Sequence, residues 1–145
     1  MHPKLLEFLI RHRIAAVALI LNNGKSHSAV MHFSFEENPL RLFFQTSKKS
    51  GKIAQADIMD GASAIASLCI GFSEEEWQTL QMEGKIRGVF TTEEKKKVQA
   101  IHYLRYPNSQ ENENDPDTLF LEFISSWWQL SDYNTNPPKK ISSED

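Results

Sequence analysis

"WQTLQMEGKIRGVF", Trp77–Phe90, is a long β-type run with glycines at positions 84 and 88. Glycine inside a strand weakens it, so two in one run mark a bulge or a sharp bend, as at the corner of a barrel. A flat open sheet needs no such bends. The run therefore predicts a small closed or split barrel.

The flanking runs supply the rest of that barrel. "IAAVALIL" (14–21) stops at Asn22-Asn23-Gly24, a tight-turn signal because Asn and Gly tolerate positive φ. "KSHSAVMHFSF" (25–35) reads as the returning strand, Asn38-Pro39 breaks it, and "LRLFFQT" (40–46) is a third. Ile14 to Thr46 thus reads as a three-stranded antiparallel meander. "ASAIASLCIGF" (62–72) is small and apolar throughout, the look of a strand buried on both faces. "TLFLEFISSWWQLSDY" (118–133) closes the set with one or two strands; Trp127 and Trp128 are consecutive and so face opposite sides.

Helices flank these strands. "HPKLLEFLIRHR" (2–13) sets Leu5, Leu6, Leu9 and Ile10 on one side, with Pro3 in the first turn. "TTEEKKKVQAIHYLRY" (91–106) opens with a capping Thr91 or Thr92 and carries Val98, Ile101, His102 and Leu104 on its expected buried side. Residues 51–60 are weakly helical and end at Gly61. Residues 107–117 read as a mobile acidic loop. The expectation is a mainly β fold with flanking helices, a six-stranded antiparallel split β-barrel with Greek-key-like order. One domain would cover residues 1–133, with 134–145 a polar tail, disordered or loosely docked.

Composition narrows function mainly by exclusion. The 145 residues fit one core, and the net charge of -3 argues against a general polyanion binder, nucleic acid included. The single cysteine, Cys69, permits no internal disulfide and suits a reducing compartment. No apolar run is long enough for a membrane helix, and the N-terminus lacks signal-peptide layout, so a cytoplasmic protein is expected. No G-x-S-x-G elbow is present. His27 and His32 differ by an odd number and point to opposite faces of one strand, so no metal site is expected. Glu74, Glu75 and Glu76 read as a solvated face, Lys95, Lys96 and Lys97 likewise, and Cys69 as a packed thiol. No catalytic residue is assigned.

"TSKKSGKIAQ", Thr46–Gln55, is the exception. Its "KSGK" is not a P-loop, which needs a glycine further upstream and Ser or Thr directly after the lysine. A strand end, free backbone N–H groups and a helix start can still hold an anion, with Thr46, Ser47 and Ser50 adding hydroxyls and Lys52 a full charge. A solvated turn with Ser50 as N-cap explains the same residues.

Three features together resemble the pyridoxamine 5'-phosphate oxidase-like, FMN-binding split-barrel family. They are "SHSAVMHFSF" followed by "LRLFFQT", then Thr46, Ser50 and Lys52 as Thr-x-x-x-Ser-x-Lys, then "LQMEGKIRGV" with a helix after it. The resemblance implies an FMN-binding flavoprotein, an oxidoreductase and a homodimer with flavin at the subunit interface. Lys52 would pair with the FMN phosphate, helped by Ser50, Thr46 and Lys48 or Lys49. The strand from His27 to His32 would run beneath the isoalloxazine ring, with backbone groups of Ser28, Ala29, Val30 and Met31 on its polar edge. Gln45 would lie near the ribityl chain. Partner residues around Trp77–Thr79, or in the "SSWW" strand, would close each site.

The sequence departs from the true oxidases. Those carry arginines on the flavin strand and an Arg-x-His-x-Arg-like segment near the C-terminus, whereas "FISSWWQLSDY" has neither arginine nor histidine. That activity is not expected, and the substrate stays open. A non-enzymatic carrier or sensor of flavin, haem or deazaflavin on the same barrel is the alternative, and His27 and His32 keep haem in view.

Overall fold

The computed structural model describes every residue except 52–54, 57, 59 and 60. Helix α1 spans Pro3–Arg11. The strands are β1 (Ile14–Ile20), β2 (Ser26–His32), β3 (Ser34–Glu36), β4 (Arg41–Ser47), β5 (Ser63–Ile70), β6 (Gln78–Val89), β7 (Thr118–Asp132) and β8 (Lys139–Ser142). Helix α2, Thr92–Arg105, follows β6 and leads into a 3-10 helix, Pro107–Asn112.

Every strand pairing is antiparallel, along the path β2-β1-β5-β6-β7-β4-β3, with β8 beside β7. The two ends of that path are consecutive in the chain, with only Phe33 between them. The sheet has therefore curled until its ends meet. The expected middle strand of the meander is a bent run. Its first half pairs with β1, as in Ala16 opposite Val30, and its second with β4, as in Ser34 opposite Phe43. Splitting that run, and adding β8, turns the expected six strands into eight.

The bend expected at Gly84 is present, and its cause is visible. Glu83 pairs with Trp127 but Gly84 pairs with Ser125, so Ser126 of β7 is the extra residue of a bulge. A Cβ on Gly84 would collide with the carbonyl oxygen of Ile124. One on Gly88 would lie 2.5 Å from the Phe90 ring and 3.0 Å from the Ile58 carbonyl oxygen. The bulge also sets the tryptophans: Trp128 packs on the inner core, while Trp127 lines the outer face beside Ala18's neighbour Ser67.

The inner core is aromatic and aliphatic, with Phe33, Phe44 and Phe123 among its fully buried side chains. Helix α1 closes one side of it through Leu5, Phe8 and Leu9. Phe8 takes the place expected of Ile10, which is exposed. A smaller core of Phe43, Val89, Val98 and Phe120 lies between the outer face of the sheet and α2. Thr91 caps α2 by accepting from the Glu94 N–H at 3.3 Å, and Glu93 and Glu94 fall in its first turn. Leu104 is 86% exposed rather than buried, because the helix meets the sheet along Val98 and His102.

Three further expectations change. Strand β5 is not buried on both faces: it alternates, with Ala64, Ala66 and Leu68 inside and Ile65 67% exposed. The acidic loop after α2 holds a 3-10 helix. The polar tail contributes β8, and its Ile141 packs against the inner core. The short helix expected over 51–60 falls largely on residues outside those described. No helix among the described residues is long and apolar enough to cross a membrane.

Candidate functional site

The loop that follows β4 has used most of its backbone donors internally. Lys48 N–H donates to the Asp117 carbonyl at 2.7 Å, Lys49 N–H to the Ser47 hydroxyl at 3.2 Å and Ser50 N–H to the Ser47 carbonyl at 3.0 Å. The expected cradle of free N–H groups is thus not formed by residues 48–50; a turn in this geometry satisfies itself. Lys49 is drawn off to Asp117 at 3.1 Å, which raises its pKa through that hydrogen bond and charge. Thr46 and Ser50 remain half-buried, with hydroxyls that bond no described residue. Lys52, expected as the main phosphate ligand, lies outside the described residues.

Gln45 and Thr46 are consecutive on β4, so they face opposite ways. Thr46 shares the inner side with Phe44, and Gln45 shares the α2 side with Phe43. Gln45 opens into a cavity of about 580 Å³ where β2, β4, the end of α2 and the 3-10 helix converge. That volume lies within the ordinary range of small-molecule sites. Val30, Met31 and His32 line it from β2, Arg13 from just before β1, and Pro107–Ser109 from the 3-10 helix. The Gln45 side-chain N–H reaches only a 3.4 Å bond to the Ser109 carbonyl, and its buried amide oxygen has no partner among the described residues.

Tyr106 and His102 build the wall of this cavity. They sit one turn apart on and just after α2, their rings 5.0 Å apart. The Tyr106 hydroxyl donates to the Phe33 carbonyl at 2.6 Å and approaches that of Arg13 at 3.2 Å, which ties the end of α2 to the β2–β3 bend. His102 is buried, with Nδ1 2.8 Å from the Ser34 hydroxyl. Burial, followed by the positive neighbours His32 and Arg105, lowers its pKa to about 4. It is a neutral hydrogen-bonding group at pH 7. Arg105 turns away to α1, donating to the carbonyls of Leu9 (3.1 Å), Ile10 (3.4 Å) and His12. These are the unpaired carbonyls at the end of a helix.

The expected flavin strand divides. Val30 and Met31 reach the cavity. Ser28 shares the outer sheet face with Val30 but lies further along it, in a shallow depression with Ala16, Ala18, Ser67 and Trp127. His27 and Ala29 are half-buried on the opposite side of β2 from Ser28. His27 and His32 face opposite ways, and no cluster of three metal-ligating side chains occurs among the described residues. Strand β2 begins the sheet path, so one of its backbone edges has no strand partner among the described residues. Arg13, His102 and Tyr106 were not singled out from sequence as site residues. The spacing of His102 and Tyr106, with Pro107 ending the helix, is the local signal for two of them.

No protein-family model matches the chain, and no curated protein is detectably similar to it. Solved structures do match. General stress protein 26 from Bacillus anthracis superposes with a TM-score of 0.67 at 19% identity, over 97% of this chain and 98% of that one. A protein related to general stress protein 26, of the pyridoxinephosphate oxidase family, from Clostridium acetobutylicum gives 0.67 at 15%, over 97% and 93%. The haem storage protein HutZ from Vibrio cholerae gives 0.70 at 14%, over 86% and 89%. The fold is a split β-barrel. At these identities the likeness is one of architecture, and what the split barrel holds has to be argued from its own residues.

Proposed function

We propose that this split barrel binds FMN in the cavity beside Gln45, acts as a homodimer, and is an FMN-dependent oxidoreductase. One observation carries the reading. The cavity joins a residue whose buried amide oxygen has no partner among the described residues, Gln45, to the apolar residues Val30, Met31 and Pro107. A flavin ring has that same duality, a flat apolar body and an imide edge that both donates and accepts hydrogen bonds. Gln45 would hold the polar edge or the ribityl chain, Val30 would pack on the ring, and Met31 would offer its backbone groups. Ser50 and Lys52 follow in sequence as candidates for the phosphate, whereas Thr46 at the strand end faces the side opposite Gln45. The bound flavin would supply two-electron redox chemistry, which needs no general base from the protein. That agrees with a cavity whose histidine His102 is buried, neutral and already bonded to Ser34.

The dimer rests on the outer face of β1, β2 and β5. Ala16, Ala18, Ser28 and Ser67 make it small and smooth, and Val30 and Ile65 stand exposed on it. Such a face suits close approach of a second sheet.

The visible spectrum of the purified protein tests the cofactor, with FMN titration of any colourless sample. Two flavin bands, or saturable FMN binding that weakens about tenfold in Gln45→Leu, are expected. A colourless protein that ignores added FMN would sink the proposal. A haem-binding reading is second, favoured by His32, which is exposed on the cavity rim. A sharp Soret band lost in His32→Ala would select it.

A further inference from the structure

We propose that Arg13, backed by His32, is the receptor for an anionic substrate, so that the molecule acted on in this cavity carries a carboxylate or a phosphate. The inference deepens the flavin reading and rests on it for the word substrate; the anion receptor itself stands on the geometry of the cavity.

Charge placement is the first argument. The chain is net acidic, yet the described residues lining this cavity include no carboxylate. The other four arginines of the chain are engaged. Arg11 meets Glu76, Arg41 and Arg87 meet Glu122, and Arg105 is spent on the carbonyls that end α1. Arg13 pairs with no described carboxylate. Arg105 adds positive potential, felt by His102. Arg13 is exposed on the cavity, within reach of an anion from solvent, and a site left cationic in an acidic protein favours one by Coulomb attraction.

Preorganisation is the second. The Arg13 guanidinium lies over the Tyr106 ring, 4.8 Å from its centroid. That ring is itself held, through its hydroxyl, to the Phe33 carbonyl at 2.6 Å. The Arg13 backbone is pinned too, its carbonyl accepting from Phe33 N–H at 3.0 Å. A guanidinium stacked on a fixed ring keeps its in-plane N–H donors free, which is the geometry that grips carboxylate or phosphate with two parallel bonds. His32 borders the same cavity, its ring 5.4 Å from Tyr106. The charge is therefore positioned before any ligand arrives.

The phosphate of FMN and an acid group of the substrate share this chemistry, so the test separates them. The FMN-loaded protein is titrated with inorganic phosphate and with benzoate, read as a shift of the flavin absorption band. Benzamide serves as the uncharged control. Saturable shifts with either anion, none with benzamide, and at least about tenfold weaker binding in Arg13→Ala than in Arg13→Lys are expected. The same variant is compared for FMN and for riboflavin. Equal, unchanged affinities keep Arg13 on the substrate side, whereas a loss confined to FMN assigns it to the cofactor phosphate and overturns the proposal. If the protein takes up no flavin, calorimetry with the two anions on the colourless protein reads the receptor alone. Binding lost in Arg13→Ala then upholds the receptor while the flavin reading falls. Absence of anion binding in the wild-type protein, loaded and unloaded, overturns the receptor itself.

Discussion

The outer surface of one curled sheet has two unlike halves. Over β4, β7 and the second part of β6 it is covered: Phe43, Val89 and Phe120 lie under Val98 of α2. Beside them the buried carboxylate of Glu122 accepts from Arg41 at 2.6 Å and Arg87 at 2.7 Å. Arg87 reaches on to Glu94 of α2, and Lys97 of α2 pairs with Glu36 of β3 at 3.0 Å. Over β1, β2 and β5 the same surface is bare, with alanine and serine where the other half has phenylalanine and charge. A half that carries its own helix needs large side chains to fill the gap and paired charges to satisfy its rim. A half left small and smooth is shaped for something that comes from outside the chain. The two halves meet at the Gly84–Ser126 bulge, where the sheet changes direction.

The meeting point is where a substitution breaks the comparison outright. Gly84→Val places a side chain against the Ile124 carbonyl, a backbone atom that cannot step aside without breaking the β6–β7 ladder. We expect a loss of about 4 kcal/mol in urea unfolding, the size of severe overpacking. An unchanged midpoint would mean the bulge is not what joins the halves.

The covered half should be acid-sensitive through His102. Its pKa is lowered from 6.5 to about 4, first by burial and then by His32 and Arg105. A histidine depressed in this way stabilises the fold fully above pH 6.5, and the contribution drains away as pH falls toward 4. The full loss is roughly 3 kcal/mol. Glu76 does not confuse this window. Burial pushes its pKa up, but hydrogen bonds from Arg11 and His12 outweigh that and leave it lowered, so its contribution disappears only in more acidic solution. Unfolding free energies at a series of pH values from 7 to 5 should fall in the wild type and stay nearly level in His102→Phe. Parallel slopes in the two proteins would remove His102 as the cause.

Glu122→Ala should cost about 2 kcal/mol, because it leaves two arginines facing each other; both are partly exposed, which moderates the effect. Replacing Glu122, Arg41 and Arg87 together with apolar residues of similar size should recover most of that loss, as expected where ion pairs fix geometry more than they stabilise. Thermal melts of the single and triple variants check the order. A triple variant less stable than Glu122→Ala would show that the charges hold α2 in place.

The barrel was legible where the sequence carries backbone signals. Gly84 announced the bulge, Asn22-Asn23-Gly24 the first hairpin, with Gly24 at φ +81°, and Thr91 the start of α2. Signals that depend on partners far along the chain were harder to read. Nothing local to "KSHSAVMHFSF" says that its two halves pair with different strands, because that follows from closure of the whole sheet. Leu104 and Ile65 are apolar yet exposed, and periodicity alone assigns such residues to a core. The site divided on the same line. Gln45, Val30 and Met31, named from the resemblance, line one cavity. Arg13 and Tyr106 join them only because the end of α2 returns to the β2–β3 bend, Tyr106 lying 73 residues after Phe33 in sequence and 93 after Arg13. The stretch Thr46–Gln55 reads as an anion cradle with free N–H groups or as a solvated turn, and at residues 48–50 contacts with Asp117 and Ser47 take those groups up.

The bare half gives the smallest effect on the chain and the clearest on its assembly. Ser67 lies near the middle of that face, opposite Ala18 on one side and Glu83 on the other. An arginine there has room to reach solvent in the isolated chain, so Ser67→Arg should change unfolding free energy by less than about 0.5 kcal/mol. Against a second copy the same arginine, even paired with Glu83 across the strands, would put a bulky charged side chain where two small, smooth faces must close. Sedimentation velocity should then find a dimer for the wild type and a monomer for the variant at equal concentration. A wild-type monomer across the micromolar range would mean that the smooth half is not where a second copy binds. A dimer in both would place the interface elsewhere, and the contrast between the halves would then need another cause than self-association.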